Sequence, residues 1–282
     1  MAFQRLSGAV QTLYAELLDQ AVLGQAEEVA AADREQRASL CRMLAAGGAA
    51  VEPAPTVRLL ELLAEVGVFR RGGVLVGTQA FRAYGNMLGV KFEAQALRTQ
   101  DVDIAQDRAV GIALAQDLGT VDVGGILTGS KLKLLPVPEL DPRQPSTSYK
   151  ARGRDLRVDF LTPLLGRETG KPVLLPSLGV AAHAMRFLDY LIEEPTQAVV
   201  VGGAGILVNV PDPARFALHK LLVSGRRPVA EQAKSAKDSK QARALLEILS
   251  EDRPDDVQMA LAALAGRPGA TAVQAALQKI SL

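Results

Sequence analysis

Tryptophan is absent, cysteine occurs once and histidine twice in the 282 residues of this chain. A lone Cys41 cannot close an internal disulfide, and one cysteine with two histidines is too small a ligand set for a Cys/His zinc site. Aromatic residues make up only 4%, which argues against a platform where a single strand of nucleic acid stacks base after base. Neither sign of charge is in excess. With 32 Lys and Arg against 31 Asp and Glu, the net charge is +1, so attraction to polyanions must come from a local patch. The longest nearly apolar run, Ala198 to Val208, is interrupted by Gly202, Gly203 and Gly205 and is far shorter than the roughly 20 residues that cross a bilayer. Met1 opens an amphipathic segment rather than a secretory signal, so a cytoplasmic protein without a membrane segment is expected.

What the chain does have is 48% hydrophobic residues, rich in Leu and Ala, the composition of a folded chain with much helix. Three parts are expected. Residues 1–54 form a helical segment, with Leu6, Val10, Leu13, Leu17 and Leu18 at helical spacing. Pro53 and Pro55 then break the pattern, and Thr56 suits the N-cap of a helix running to about Val66. Residues 55–210 mix strands and helices. Val74–Val76 is a short buried strand, followed directly by a helix over Thr78–Leu88. Thr99–Ala105, Leu132–Val137, Ser148–Lys150 and Leu156–Leu161 are extended, the last two joined at Arg152-Gly153-Arg154. Ala198–Val201 and Ile206–Val210 flank Gly202-Gly203-Ala204-Gly205 as a hairpin. Residues 211–282 are helical again. The fold class is therefore α/β in the broad sense (α+β), a mixed sheet between helical flanks.

The chemistry-bearing residues lie in the middle part. Asp101-Val102-Asp103-Ile104 alternates acid with apolar residue, so in a strand both acids share one face. Carboxylates side by side repel one another, and a hard divalent cation is the usual remedy. A third acid, Asp159, sits between Val158 and Phe160 in a similar strand. With 22 residues between it and Asp101, the apolar run Val74–Val76 ends in Gly77-Thr78. A glycine allows close backbone approach to a ligand, and the following helix N-terminus supplies free N–H groups and partial positive charge for a phosphate. The same pair also describes an ordinary strand-to-helix turn with a threonine cap. Basic residues are frequent nearby, namely Arg98, Lys131, Lys133, Lys150, Arg152, Arg154 and Arg157. The glycine cluster at Gly202 is followed by a strand, which excludes a dinucleotide-binding turn. Ser130 and Ser148 have no neighbouring histidine for a hydrolase triad. His183 and His219 read as structural.

A Gly-hydroxyl pair, then Asp-x-Asp, then a separate third Asp resembles the DNA polymerase β-like nucleotidyltransferase superfamily. The segments Val76-Gly77-Thr78-Gln79-Ala80 and Thr99-Gln100-Asp101-Val102-Asp103-Ile104 are most similar to its bacterial minimal branches, including the AbiEii-type toxins. These also carry a helical half with a lysine and a later Lys-Asp pair. Phe216-Ala217-Leu218-His219-Lys220-Leu221 and Lys237-Asp238 with Gln241 are similar in kind and order, and the resemblance spans about residues 56 to 250. Two departures are the threonine after Gly77, where serine or glycine is commoner, and the long spacing before Asp101.

The resemblance implies a two-metal enzyme that moves a nucleoside monophosphate from a triphosphate to an acceptor hydroxyl and releases pyrophosphate. Asp101, Asp103 and Asp159 would be the catalytic residues and the ligands of Mg2+ (or Mn2+). Gly77, Thr78, Arg98 and Lys220 would bind the nucleotide, with Lys220 reaching in from the helical part. Removal of Lys220 is then expected to cost triphosphate affinity and no stability. The acceptor stays open among an RNA end, a protein and a small molecule, as does the oligomeric state. The alternative is a non-catalytic nucleotide-binding or toxin–antitoxin-type interaction protein of the same fold. All three acids being present favours the enzyme.

Overall fold

The computed structural model describes residues 3–23, 31–93, 101–226 and 229–278. The chain starts as a strand, β1 (Phe3–Arg5), followed by the helices α1 (Gly8–Leu23) and α2 (Ala31–Ala46). Helix α3 (Ala54–Glu65) begins two residues before the expected cap. Pro53 takes the N-cap position and Pro55 lies in the first turn, where its missing N–H would have no partner anyway. Thr56 is buried inside the helix.

The middle of the chain then runs β2 (Val74–Val76), α4 (Gly77–Met87), β3 (Val90–Phe92), β4 (Asp101–Ala105), α5 (Arg108–Leu118), α6 (Val123–Gly129), β5 (Leu134–Pro136), β6 (Ser148–Ala151) and β7 (Arg157–Pro163). After these come β8 (Val173–Leu175), β9 (Val180–Met185), α7 (Leu188–Ile192), β10 (Thr196–Val200) and β11 (Ile206–Val210). The C-terminal helices are α8 (Pro213–Ser224), α9 (Gln232–Asp252), α10 (Pro254–Leu264) and α11 (Ala270–Gln278). Among the described residues no single helix is long and apolar enough to cross a membrane.

A mixed seven-stranded sheet forms the centre, in the order β2-β4-β7-β6-β5, with β9 also beside β7 and β8 beside β9. Strand β7 is its hub. It runs parallel to β4 along one edge, while its other edge is shared in sequence by β6, antiparallel over Arg157–Asp159, and β9, parallel over Leu161–Pro163. The point where β6 leaves and β9 takes over lies beside Asp159. One face of β4 and β7 is mainly apolar: Val102, Ile104, Val158 and Phe160 have no exposed surface. They join α3, α4, α8 and α9 in the main core, where Phe216 meets Tyr84 edge-on at 5.1 Å.

The β10–β11 hairpin forms as expected and carries the N-terminal helices. Leu17 of α1 and Leu44 of α2 pack with Val199 and Leu207 in a second apolar cluster. The buried Tyr14 hydroxyl accepts from the Val199 N–H at 3.0 Å. Strand β1 was outside the helical expectation for the first fifty residues; it pairs with β3 by backbone bonds, which a three-residue segment without alternation does not announce.

Candidate active site

The pairing register assembles the site. In the parallel β4–β7 ladder Asp101 lies opposite Arg157 and Asp103 opposite Asp159, and residues paired across neighbouring strands share a face. The polar face therefore carries a square of three carboxylates and one guanidinium, its members about 5–7 Å apart along and across the strands. Its reverse is the apolar face described above. Arg157 Nε donates to Asp159 Oδ1 at 2.7 Å, and its NH2 donates to Ser148 Oγ at 2.7 Å. Ser148, opposite Asp159 on β6, donates in turn to the same Oδ1. Arg157 thus serves as the local counterion.

Asp103 sits at the centre. Burial is the largest cause holding its carboxyl up to about 7, Asp159 and Asp101 add to it, and Lys220 and Arg157 oppose. Strand β2 places Val76 opposite Asp103, and Gly77 follows with φ +67°. A Cβ on Gly77 would collide with Asp103 Oδ2, so glycine is required both for the turn and for the approach of the two segments. Helix α4 starts here without a side-chain cap, which leaves its first-turn N–H groups for other acceptors.

The opposite wall is helical. Phe216, His219, Lys220 and Val223 recur at three- and four-residue spacing along α8 and line one cavity of about 870 Å³ together with Gly77, Asp103, Ser148, Arg157 and Asp159. Lys220 Nζ donates to Asp238 Oδ1 at 2.6 Å, and both side chains are largely buried. Lys237 Nζ donates to Thr78 Oγ1 at 2.9 Å. Burial and the nearby Lys220 lower the Lys237 ammonium, against the pull of Asp238, Asp101 and Asp103. Adjacent residues on a helix point about 100° apart, so Lys237 and Asp238 serve two different partners.

Gly77, Asp103, Asp159 and Lys220 accordingly meet at one cavity, with Thr78 tied to its helical wall through Lys237 and Asp101 next to Arg157. Arg157 lines the cavity, whereas Arg154 stands in the exposed β6–β7 turn. Arg98 lies outside the described residues. The sequence alone assigns no role to Ser148 and none of its own to Lys237. The Arg157–Asp159 contact was signalled, since residues two apart on a strand share a face. The Lys237–Thr78 contact spans 159 residues and has no local signal.

Among the described residues no three His, Cys, Asp or Glu side chains are gathered into a metal-holding cluster, Asp159 being engaged by Arg157 and Ser148. The donor chemistry still fits a hard divalent cation: three carboxylates line one face, and the repulsion that raises Asp103 is what a cation would relieve.

A nucleotidyltransferase family profile matches residues 54–265. The chain belongs to this nucleotidyltransferase family. A search of curated proteins found no match.

Proposed function

We propose that this nucleotidyltransferase transfers a nucleoside monophosphate from a triphosphate to an acceptor hydroxyl. The observation that carries the reading is the register that sets Asp103 opposite Asp159 beside the Gly77 turn, with Asp101 two residues along the same face opposite Arg157. The new bond joins the acceptor oxygen to the α-phosphorus, and the α–β bridging bond breaks to release pyrophosphate. First-turn amides of α4, the Thr78 hydroxyl and the Lys237 ammonium hold the phosphate oxygens, and Lys220 offsets negative charge beside Asp103. A carboxylate oxygen of Asp159 takes the acceptor proton. Asp101, Asp103 and Asp159 would hold Mg2+ or Mn2+, which would supply charge neutralisation for the transfer.

Residues 55–210 are the proposed catalytic core, residues 211–282 the wall that closes the cleft, and residues 1–54 a helical buttress. The order of Lys220 and the Lys237–Asp238 pair supports the AbiEii-type branch. The test incubates each labelled nucleoside triphosphate with the protein, Mg2+ or Mn2+ and cell extract. Label should pass to an acceptor with release of pyrophosphate, and chelation or Asp101→Asn should stop it. Triphosphate binding with no pyrophosphate release from any of the four would overturn the reading in favour of a non-catalytic nucleotide-binding protein.

A further inference from the structure

One aromatic ring opens into the cleft. Of the eleven Phe and Tyr residues nine are buried, leaving Phe3 and Phe187, and Phe187 lines the cavity. Phe160 and Phe216 also border it, but both are fully buried in the core and have no face to offer. Phe187 has φ +65° and ψ 4°, a left-handed conformation that is strained for a bulky residue. Glycine would take this backbone without strain, so what the position supplies is the ring. The guanidinium of Arg226 stands 4.5 Å from the ring centroid, at cation–π distance. An aromatic ring and a guanidinium are the two flat groups on which nucleobases stack.

The position of the pair gives it a ligand. The α8 stripe places Lys220 near Asp103, then Val223, and Arg226 lies two residues past the helix end at Ser224. At 1.5 Å per residue Arg226 lies about 9 Å along from Lys220. The cavity is therefore polar and charged at the Gly77 end, where Asp103, Asp159, Arg157 and Lys220 line it, and aromatic at the other. Met185, Leu188 and Leu191 add apolar lining there. A nucleoside triphosphate has the same division, anionic at one end and planar at the other.

We infer that Phe187, backed by Arg226, is the stacking surface for the base of the bound nucleoside triphosphate. This rests on the triphosphate reading proposed above. A single ring holds a single base, in keeping with a chain so poor in aromatics. Stacking accepts every base and favours the larger ring system, so purine triphosphates bind more tightly than pyrimidine ones.

The test is calorimetric titration of the 282-residue chain in Mg2+, without acceptor, using ATP, CTP and inorganic tripolyphosphate. Phe187→Ala should weaken ATP binding by roughly 5- to 100-fold, weaken CTP less, and leave tripolyphosphate within about twofold; Phe187→Tyr should retain ATP. The triphosphate of 2-aminopurine riboside should be quenched on binding the wild type and Phe187→Tyr, and should stay bright with Phe187→Ala. Phe187→Leu, which keeps apolar bulk without a ring, carries the same expectation should the alanine variant not fold. Unchanged ATP affinity in the ringless variants overturns the inference and would leave the ring to an acceptor base. Equal loss of ATP and tripolyphosphate overturns it too, because the damage would then be structural. A wild type that binds neither ligand defeats the triphosphate reading itself.

Discussion

Asp103 is half-buried among like charges, and its proton records that. Its carboxyl is held up to about 7 from 3.8, so between about pH 4 and 7 the folded protein carries a proton that the unfolded chain has released. Metal-free stability therefore falls as pH rises through that window. Asp103→Asn removes the charge. In chemical denaturation with EDTA the variant should be more stable than wild type by about 1–3 kcal/mol at pH 8, with the gap closing near pH 4. A less stable variant at pH 8 would mean that the carboxylate is anchored, not repelled. Transfer by the same variant should fall about 100-fold or more. Thr78→Val is a smaller change. It deletes the acceptor of Lys237 and should weaken triphosphate binding, read by titration, with little effect on the melting temperature.

Two contacts tie the elements around the cleft together, and each predicts a different loss. At the start of α4, Gly77→Val sets a branched side chain against Asp103 on a left-handed backbone. It should lower both the melting temperature and triphosphate affinity, whereas a turn remote from the ligand would lose only stability. Between α8 and α9, Lys220 and Asp238 form a largely buried pair, which alters the expectation that Lys220 is dispensable for stability. Breaking such a pair costs about 3–5 kcal/mol. Lys220→Ala should lower the melting temperature, and adding Asp238→Ala should recover part of that loss in a double-mutant cycle. The elements legible in the sequence were those with a strong period or a clear break: β2 into α4, the acidic β4, the β6–β7 pair, the β10–β11 hairpin and the C-terminal helices. Helix α6 was hidden by three glycines in seven residues; it forms because Asp122 caps it, accepting from Gly125 N–H at 2.9 Å. Short strands such as β8 and β9 owe their existence to the neighbours they pair with. The candidate acids were readable by alternation, but their meeting depends on β4 and β7 pairing in one particular register, which no local pattern specifies.

At the scale of the molecule, the cleft joins a sheet face to a helical wall, and the Lys237–Thr78 bond ties α9 to the start of α4. A ligand that engages both sides binds the folded state alone and should raise its melting temperature. At 100 times the dissociation constant the gain is about 2.7 kcal/mol, which for a domain of this size is roughly 5–10 °C. A non-hydrolysable triphosphate with Mg2+ should give that shift in a thermal melt, and the same nucleotide with EDTA should give much less. Equal shifts with and without the cation would remove the metal from the binding step.

The β4–β7 ladder also bears on how the gene can vary. Inserting or deleting one residue in β4 would turn Asp101 and Asp103 into the core and Val102 and Ile104 out to the cleft. A change of two residues would keep the faces but slide Asp103 about 6.6 Å from Asp159, leaving an intact sheet with a dismantled site. Substitutions at the two strands are graded in their effects, while changes of length are not. Viable variants of this lineage should therefore take their insertions and deletions in exposed turns such as Arg152-Gly153-Arg154, leaving both strands constant in length.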